Sequence, residues 1–247
     1  VLFERFSVGL MPSVSLTDLK YVDVRDSEVL AMGASSFSDQ PALPAVPVEL
    51  QAIANRIWPG EFLLNETFTP ELLVSSREQT PYGIVHLATH GEFKSGSVDN
   101  SYIQFWNQKV GIDQVRTLGL NSPPVELMVL SACRTALGNE EAELGFAGLA
   151  VQAGVKTAMA SLWKVDDVGT AGIMTQFYSS LRDEPIKAEA LRQAQLAMIN
   201  GEVQVKSDKM AWSGGEIELP EQLKGISSDE FGHPFFWAAF TTIGSPW

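Results

Sequence analysis

Four stretches of the chain are apolar almost without interruption. They are residues 28–33, ending on Gly33; 83–91, ending on His90-Gly91; 125–133, ending on Cys133; and 156–164, ending on Lys164. Continuous apolar runs, rather than strict alternation, mark strands buried on both faces. Helical stretches lie between and after them. Residues 48–57 form one, stopped by Pro59-Gly60, and another starts at Pro70. Further helices are read at 111–119, at 145–153 (closing on Ala153-Gly154), at 167–182 and at 188–199. Short strands are read at 61–65 and 101–106. Strands alternating with helices predict an α/β chain: a mostly parallel sheet with helices on both faces.

Three segments depart from the rhythm. Residues 6–14 and 21–24 read as short entry strands within 1–27, broken at Pro12. Residues 35–47 carry Pro41, Pro44 and Pro47 and read as a loop. Residues 201–232 are polar, contain Gly214-Gly215 and Pro220, and lack steady periodicity, so a long surface excursion is expected there. Phe235-Phe236-Trp237-Ala238-Ala239-Phe240 then returns to the core.

Composition narrows the function. With 247 residues and 45% hydrophobic content, the chain suits a single domain, 1–247, with a substantial core. Seventeen basic residues against thirty acidic ones give a net charge of −13, and no Lys/Arg cluster is present. A phosphate backbone or an anionic membrane is therefore not an expected partner. No signal peptide opens the chain and no run is long and apolar enough for a bilayer, so a cytoplasmic location is expected. The single Cys133 allows no disulfide within the chain and fits a reducing compartment. Three histidines and one thiol provide poorly for a metal, and no cofactor is expected. Val1-Leu2-Phe3-Glu4-Arg5-Phe6 resembles mid-strand sequence with no initiating Met, which suggests the C-terminal fragment of a longer chain.

In open parallel sheets, reactive groups gather at the carboxyl ends of strands. Two such ends here carry His90-Gly91 and Cys133. A thiol has a pKa of ~8.5 and attacks as thiolate, so a nearby imidazole is needed to take its proton. The N–H groups of Gly91 and Cys133 could then form an oxyanion hole, with no side chain on Gly91 to block the approach.

The segments His86-Leu87-Ala88-Thr89-His90-Gly91-Glu92-Phe93 and Leu130-Ser131-Ala132-Cys133-Arg134-Thr135-Ala136-Leu137-Gly138 resemble the two signature motifs of the CHAT domain. That is a caspase-like domain often found behind tetratricopeptide repeats. The resemblance continues in order through Gly145-Phe146-Ala147-Gly148-Leu149, Ala160-Ser161-Leu162-Trp163-Lys164-Val165-Asp166-Asp167 and His233-Pro234-Phe235-Phe236-Trp237. It implies a caspase/haemoglobinase-like three-layer sandwich and a Cys–His dyad, with His90 the catalytic histidine and Cys133 the nucleophile. It implies a protein or peptide substrate, and upstream tetratricopeptide repeats of the same chain as a partner. Arg134 stands where an acidic residue is common in the family; it either lowers the thiol pKa or points to solvent.

The next strand end, Trp163-Lys164-Val165-Asp166-Asp167, suggests the pocket for the side chain before the cut bond (P1). A carboxylate there would select Arg or Lys, with Asp166 or Asp167 as reader and Trp163 as a wall. An Asp at that point is equally a helix N-cap, so one Asp is expected to cap and the other to face the pocket. His86 is expected to be a hydrogen-bonded core histidine. The leading expectation is a cysteine endopeptidase regulated within a larger protein. The alternative is a non-proteolytic caspase-fold interaction domain. A flavodoxin-like reading would rest only on Gly33-Ala34-Ser35-Ser36 as a phosphate loop.

Overall fold

The computed structural model describes residues 4–11, 13–18, 20–93, 101–131, 134–135 and 153–247. In chain order the elements are β1 Val29–Gly33, α1 Val46–Ala52, β2 Gly60–Leu64, α2 Pro70–Gln79, β3 Ile84–Ala88, β4 Gly91–Phe93, β5 Tyr102–Gln104 and β6 Lys109–Gly111. They continue as β7 Leu127–Leu130, β8 Arg134–Thr135, β9 Thr157–Ser161, α3 Asp167–Asp183, α4 Lys187–Ile199, β10 Gln204–Lys206, β11 Lys209–Trp212, β12 Gly215–Glu218, α5 Pro234–Trp237 and β13 Phe240–Gly244. The expected helix at 145–153 lies outside the described residues, apart from Ala153.

The central sheet has six strands in the order β13-β9-β7-β3-β1-β2. All neighbours are parallel except β13, which runs antiparallel to β9. The four apolar runs of the sequence are its four middle strands. Side chains alternate across it into two separate cores. Val29, Ala31, Ile84, Ala88, Leu127 and Val129 pack on one face with α1, α3 and α4. Leu30, Met32, Val85, Leu87, Met128 and Leu130 pack on the other, with Leu73 of α2 and the 3-10 turn Ile112–Leu118. Both sides of each strand are thus used, which is why its sequence shows no polar alternation. The result is a three-layer α/β sandwich.

Gly33 shows how tightly the strand ends converge. A Cβ there would lie 2.5 Å from the Ala88 carbonyl oxygen, so the last residue of β1 needs glycine to sit beside the end of β3.

A second sheet, β6-β5-β4-β8, continues directly from the end of β3, and a third, β10-β11-β12, is an antiparallel meander. The meander occupies the segment expected as a surface excursion. Its strands are only three or four residues long, too short for a readable period. Met210, Trp212 and Ile217 nevertheless join the core beside α3. Within the described part of 1–27, where entry strands were expected, only Leu10 pairs with the sheet, bridging to Ile243 at the β13 edge. Elsewhere that segment makes short 3-10 turns at Val14–Leu16 and Val24–Asp26, and Phe6 and Val14 stay exposed. Among the described residues no helix is long and apolar enough to cross a membrane.

Candidate active site

The chain leaves β3 at Ala88 and passes through Thr89 and His90 into β4. This short link is fixed on both sides. The Thr89 hydroxyl donates to the Gln104 carbonyl at 2.6 Å, and the Gln104 N–H donates to the His90 carbonyl at 2.9 Å. The imidazole of His90 is 6% exposed, and its Nε2 lies 2.8 Å from the carbonyl oxygen of Pro41. A carbonyl can only accept, so Nε2 carries a proton, and in the neutral imidazole the lone pair then falls on Nδ1. The Phe37 ring packs against the imidazole with centroids 4.8 Å apart. Both partners come from the proline-rich loop before α1.

Sequence reasoning passed over this contribution. Any residue can supply a carbonyl, so Pro41 carries no chemical signature. The three prolines marked the segment only as a loop.

Gly91 opens β4 opposite Ile103 of β5. Cys133 lies outside the described residues, as do the acidic run 140–143 and the glycines at 145 and 148. The backbone on either side of Cys133 is described. The Ser131 N–H donates to the Leu87 carbonyl at 3.1 Å, at the end of β3, and Arg134 pairs with Glu92 of β4. Those two partners fall on either side of His90-Gly91 in the sequence.

The third strand end follows β9. The Trp163 indole N–H donates to the Phe235 carbonyl at 2.9 Å, tying this segment to α5. Asp166 is the N-cap of α3: one carboxylate oxygen, Oδ1, accepts from the N–H groups of Val168 and Gly169, both at 3.0 Å. Burial pushes its carboxyl up, against the pull of those bonds. The residue itself remains exposed at the surface. Asp167 turns inward, and its carboxylate accepts the backbone N–H of Ala45, just before α1. Burial raises the Asp167 carboxyl to about 7, with Glu49 and Asp166 adding like charge. The adjacent carboxylates are thus unequal, one an exposed cap and the other a half-buried brace.

His86 is the core histidine the pattern suggested. It is fully buried in β3, its Nε2 2.9 Å from Glu49 Oε1 and its Nδ1 3.3 Å from the Tyr178 hydroxyl. The Glu49 contact is an ion-pair approach rather than an aligned hydrogen bond, because neither atom has a well-directed partner. Burial and the Glu49 charge push the Tyr178 phenol well above its ordinary value, so it remains a donor. Glu49 and Tyr178 were not singled out from the sequence, where each reads as one more helical position. Among the described residues no group of His, Cys, Asp and Glu could hold a metal ion.

No curated protein matches the chain in sequence. Among solved structures it is similar to the complex of Porphyromonas gingivalis RgpB pro- and mature domains. The TM-score is 0.52 and the identity 12%, over 91% of this chain and 48% of that one, so the chain spans about half the length of the RgpB chain. That likeness supports the caspase-like fold. The family model described as the CHAT domain matches residues 1–245, essentially the full length, and on that match the chain belongs to the CHAT domain family.

Proposed function

We propose that this chain is a cysteine endopeptidase domain working through His90 and Cys133. One observation carries the reading: His90 is held at the strand end by its Nε2 proton on the Pro41 carbonyl, which leaves Nδ1 as the basic nitrogen. The backbone pairings of Ser131 and Arg134 with residues on either side of His90 bring the two segments together, which supports the reading.

The chemistry follows. Nδ1 of His90 takes the Cys133 thiol proton, and the thiolate attacks the peptide carbonyl. Negative charge on the carbonyl oxygen is received by the N–H groups of Gly91 and Cys133, each donor being worth ~3 kcal/mol in the transition state. The C–N bond breaks as His90 returns its proton to the leaving amine. Water then adds to the thioester with His90 as base, releasing the acid and the free thiol.

The preferred P1 residue is Arg or Lys. Asp166 is the better reader of the two carboxylates, because it is exposed and its cap uses only Oδ1. A bound cation would lower its raised pKa. Trp163, braced on Phe235, forms the wall. Activity is regulated within a larger polypeptide that carries repeats.

The test is a positional-scanning peptide library on the purified chain and on longer versions of it. Cleavage after Arg or Lys, abolished in Cys133→Ala with the melting temperature unchanged, is expected. A thiol that labels with a peptidyl electrophile no faster than free cysteine would favour an interaction domain instead.

A further inference from the structure

Asp167 has no part in the dyad, yet it is a half-buried carboxylate held against the backbone of another element. Its partner, Ala45, is fully buried and immediately precedes α1. Ala45 makes two backbone hydrogen bonds. Its N–H donates to Asp167, and its carbonyl accepts the Glu49 N–H at 2.9 Å, the first turn of α1. Four residues upstream, the Pro41 carbonyl receives the His90 Nε2 proton. Between these points the loop is drawn closed by the Leu43 N–H on the Ser35 carbonyl at 2.9 Å, and the Ser35 N–H is held by Asn65 Oδ1 at 2.9 Å. Downstream, Glu49 meets His86 of β3, which meets Tyr178 of α3. The loop and helix that orient His90 are therefore held to the first residue of α3, through Asp167, and to its middle, through Tyr178.

We infer that Asp167 is a positioning residue for His90: by holding the Ala45 N–H it sets the loop that presents the Pro41 carbonyl, coupling segment 163–167 to the orientation of the imidazole. The inference deepens the peptidase reading and rests on it for its catalytic consequence, though the mechanical link does not.

Electrostatics gives the brace a direction. The groups facing Asp167 are Glu49 on α1 and Asp166 beside it, both repelling its charge, and Lys164 after β9, which attracts it. Burial is the largest influence and raises the carboxyl to about 7. A carboxylate is a stronger acceptor for an N–H than a neutral carboxyl. The brace is thus tight above neutrality and loosens below it. A cationic side chain at Asp166 would offset the repulsion between the two carboxylates, favour ionised Asp167 and tighten the brace. Substrate of the right charge would then improve the alignment of the base that cuts it.

Two measurements on the purified chain test this. The first needs no activity: the amide resonance of Ala45 in 15N-labelled protein is followed from pH 5 to 9. It is expected to titrate with a midpoint near 7, and the titration is expected to vanish in Asp167→Asn. An Ala45 amide that does not respond, or that titrates unchanged in Asp167→Asn, overturns the inference. The second is kinetic, on a peptide with a basic P1. Asp167→Asn keeps an acceptor oxygen and is expected to retain kcat within roughly threefold at pH 8, while the acid limb of its kcat/KM profile falls from about two ionisations to about one. Asp167→Ala, with no acceptor, is expected to lose roughly tenfold in kcat with KM little changed. Equal losses in the Asn and Ala variants with an unmoved pH profile would mean a merely structural carboxylate and would sink the inference. If no peptide is cut but Ala45 titrates as expected, the peptidase reading fails and the mechanical link stands.

Discussion

His86 and His90 are four residues apart, and the fold sets them in different surroundings. His86 sits inside β3 with both ring nitrogens facing buried polar groups, Glu49 and Tyr178. His90 sits past the end of the same strand, with one nitrogen on a backbone carbonyl and an aromatic ring at its side. Inside the sheet an imidazole needs polar neighbours for its ring nitrogens, because a buried polar atom left without one costs ~1–3 kcal/mol. At the strand end the imidazole rests on a carbonyl supplied by a loop, and under the peptidase reading proposed above its Nδ1 is the nitrogen that takes the thiol proton. The proposed division of roles follows position along the strand, not residue type.

Several substitutions probe that contrast. The largest effect is expected for His90→Ala: kcat/KM on a basic-P1 peptide should fall by roughly 10⁴-fold or more, with little change in melting temperature. Retained turnover would place the base elsewhere. His86→Ala should do the reverse. It leaves Glu49 buried without its partner and should cost ~3 kcal/mol or more in urea unfolding, while the folded fraction keeps its kcat. If the His86 variant is as stable as the parent, the Glu49 contact contributes nothing to holding the fold together. Tyr178→Phe removes one 3.3 Å hydrogen bond from fully buried His86 and should cost ~1 kcal/mol, again without touching the chemistry.

The smallest effect is a pH dependence of stability from Asp167. Its folded pKa is raised, from 3.8 to about 7, so folding favours the protonated form. The stability linked to this group is fully present below about pH 4 and is lost as pH rises towards and through 7. Melting temperature in Asp167→Asn should therefore decline less between pH 5 and pH 8 than in the parent. Parallel curves would mean that Asp167 titrates as an ordinary carboxylate.

The parts of this molecule that could be read from the sequence are those where a single residue type must occupy a single environment. The runs containing β1, β3, β7 and β9 are apolar because both faces are covered, and a cap by one of Asp166 and Asp167 could be read because capping is local; the fold gives it to Asp166. What could not be read depends on distant partners. What Asp167 does is set by Ala45, 122 positions away in sequence. The Pro41 carbonyl is chemically anonymous until the fold sets it beside His90. The meander was hidden because Met210, Trp212 and Ile217 are spread over strands too short to show a period.

The Leu10 bridge gives the sheet a load path. Its N–H donates to the Thr242 carbonyl at 2.8 Å, and its carbonyl accepts the Gly244 N–H at 2.9 Å. Because Leu10 runs parallel to β13, tension along the segment before it would shear both bonds together rather than peel them singly. β13 is zipped in turn to β9 through five residue pairs, and the Leu162 N–H hangs on the Ala239 carbonyl at 2.7 Å. A pull or twist on residues 4–10 would therefore be delivered, two strands inward, to the segment carrying Trp163, Asp166 and Asp167. The edge of this sheet is a lever arm whose short end rests at the candidate substrate pocket.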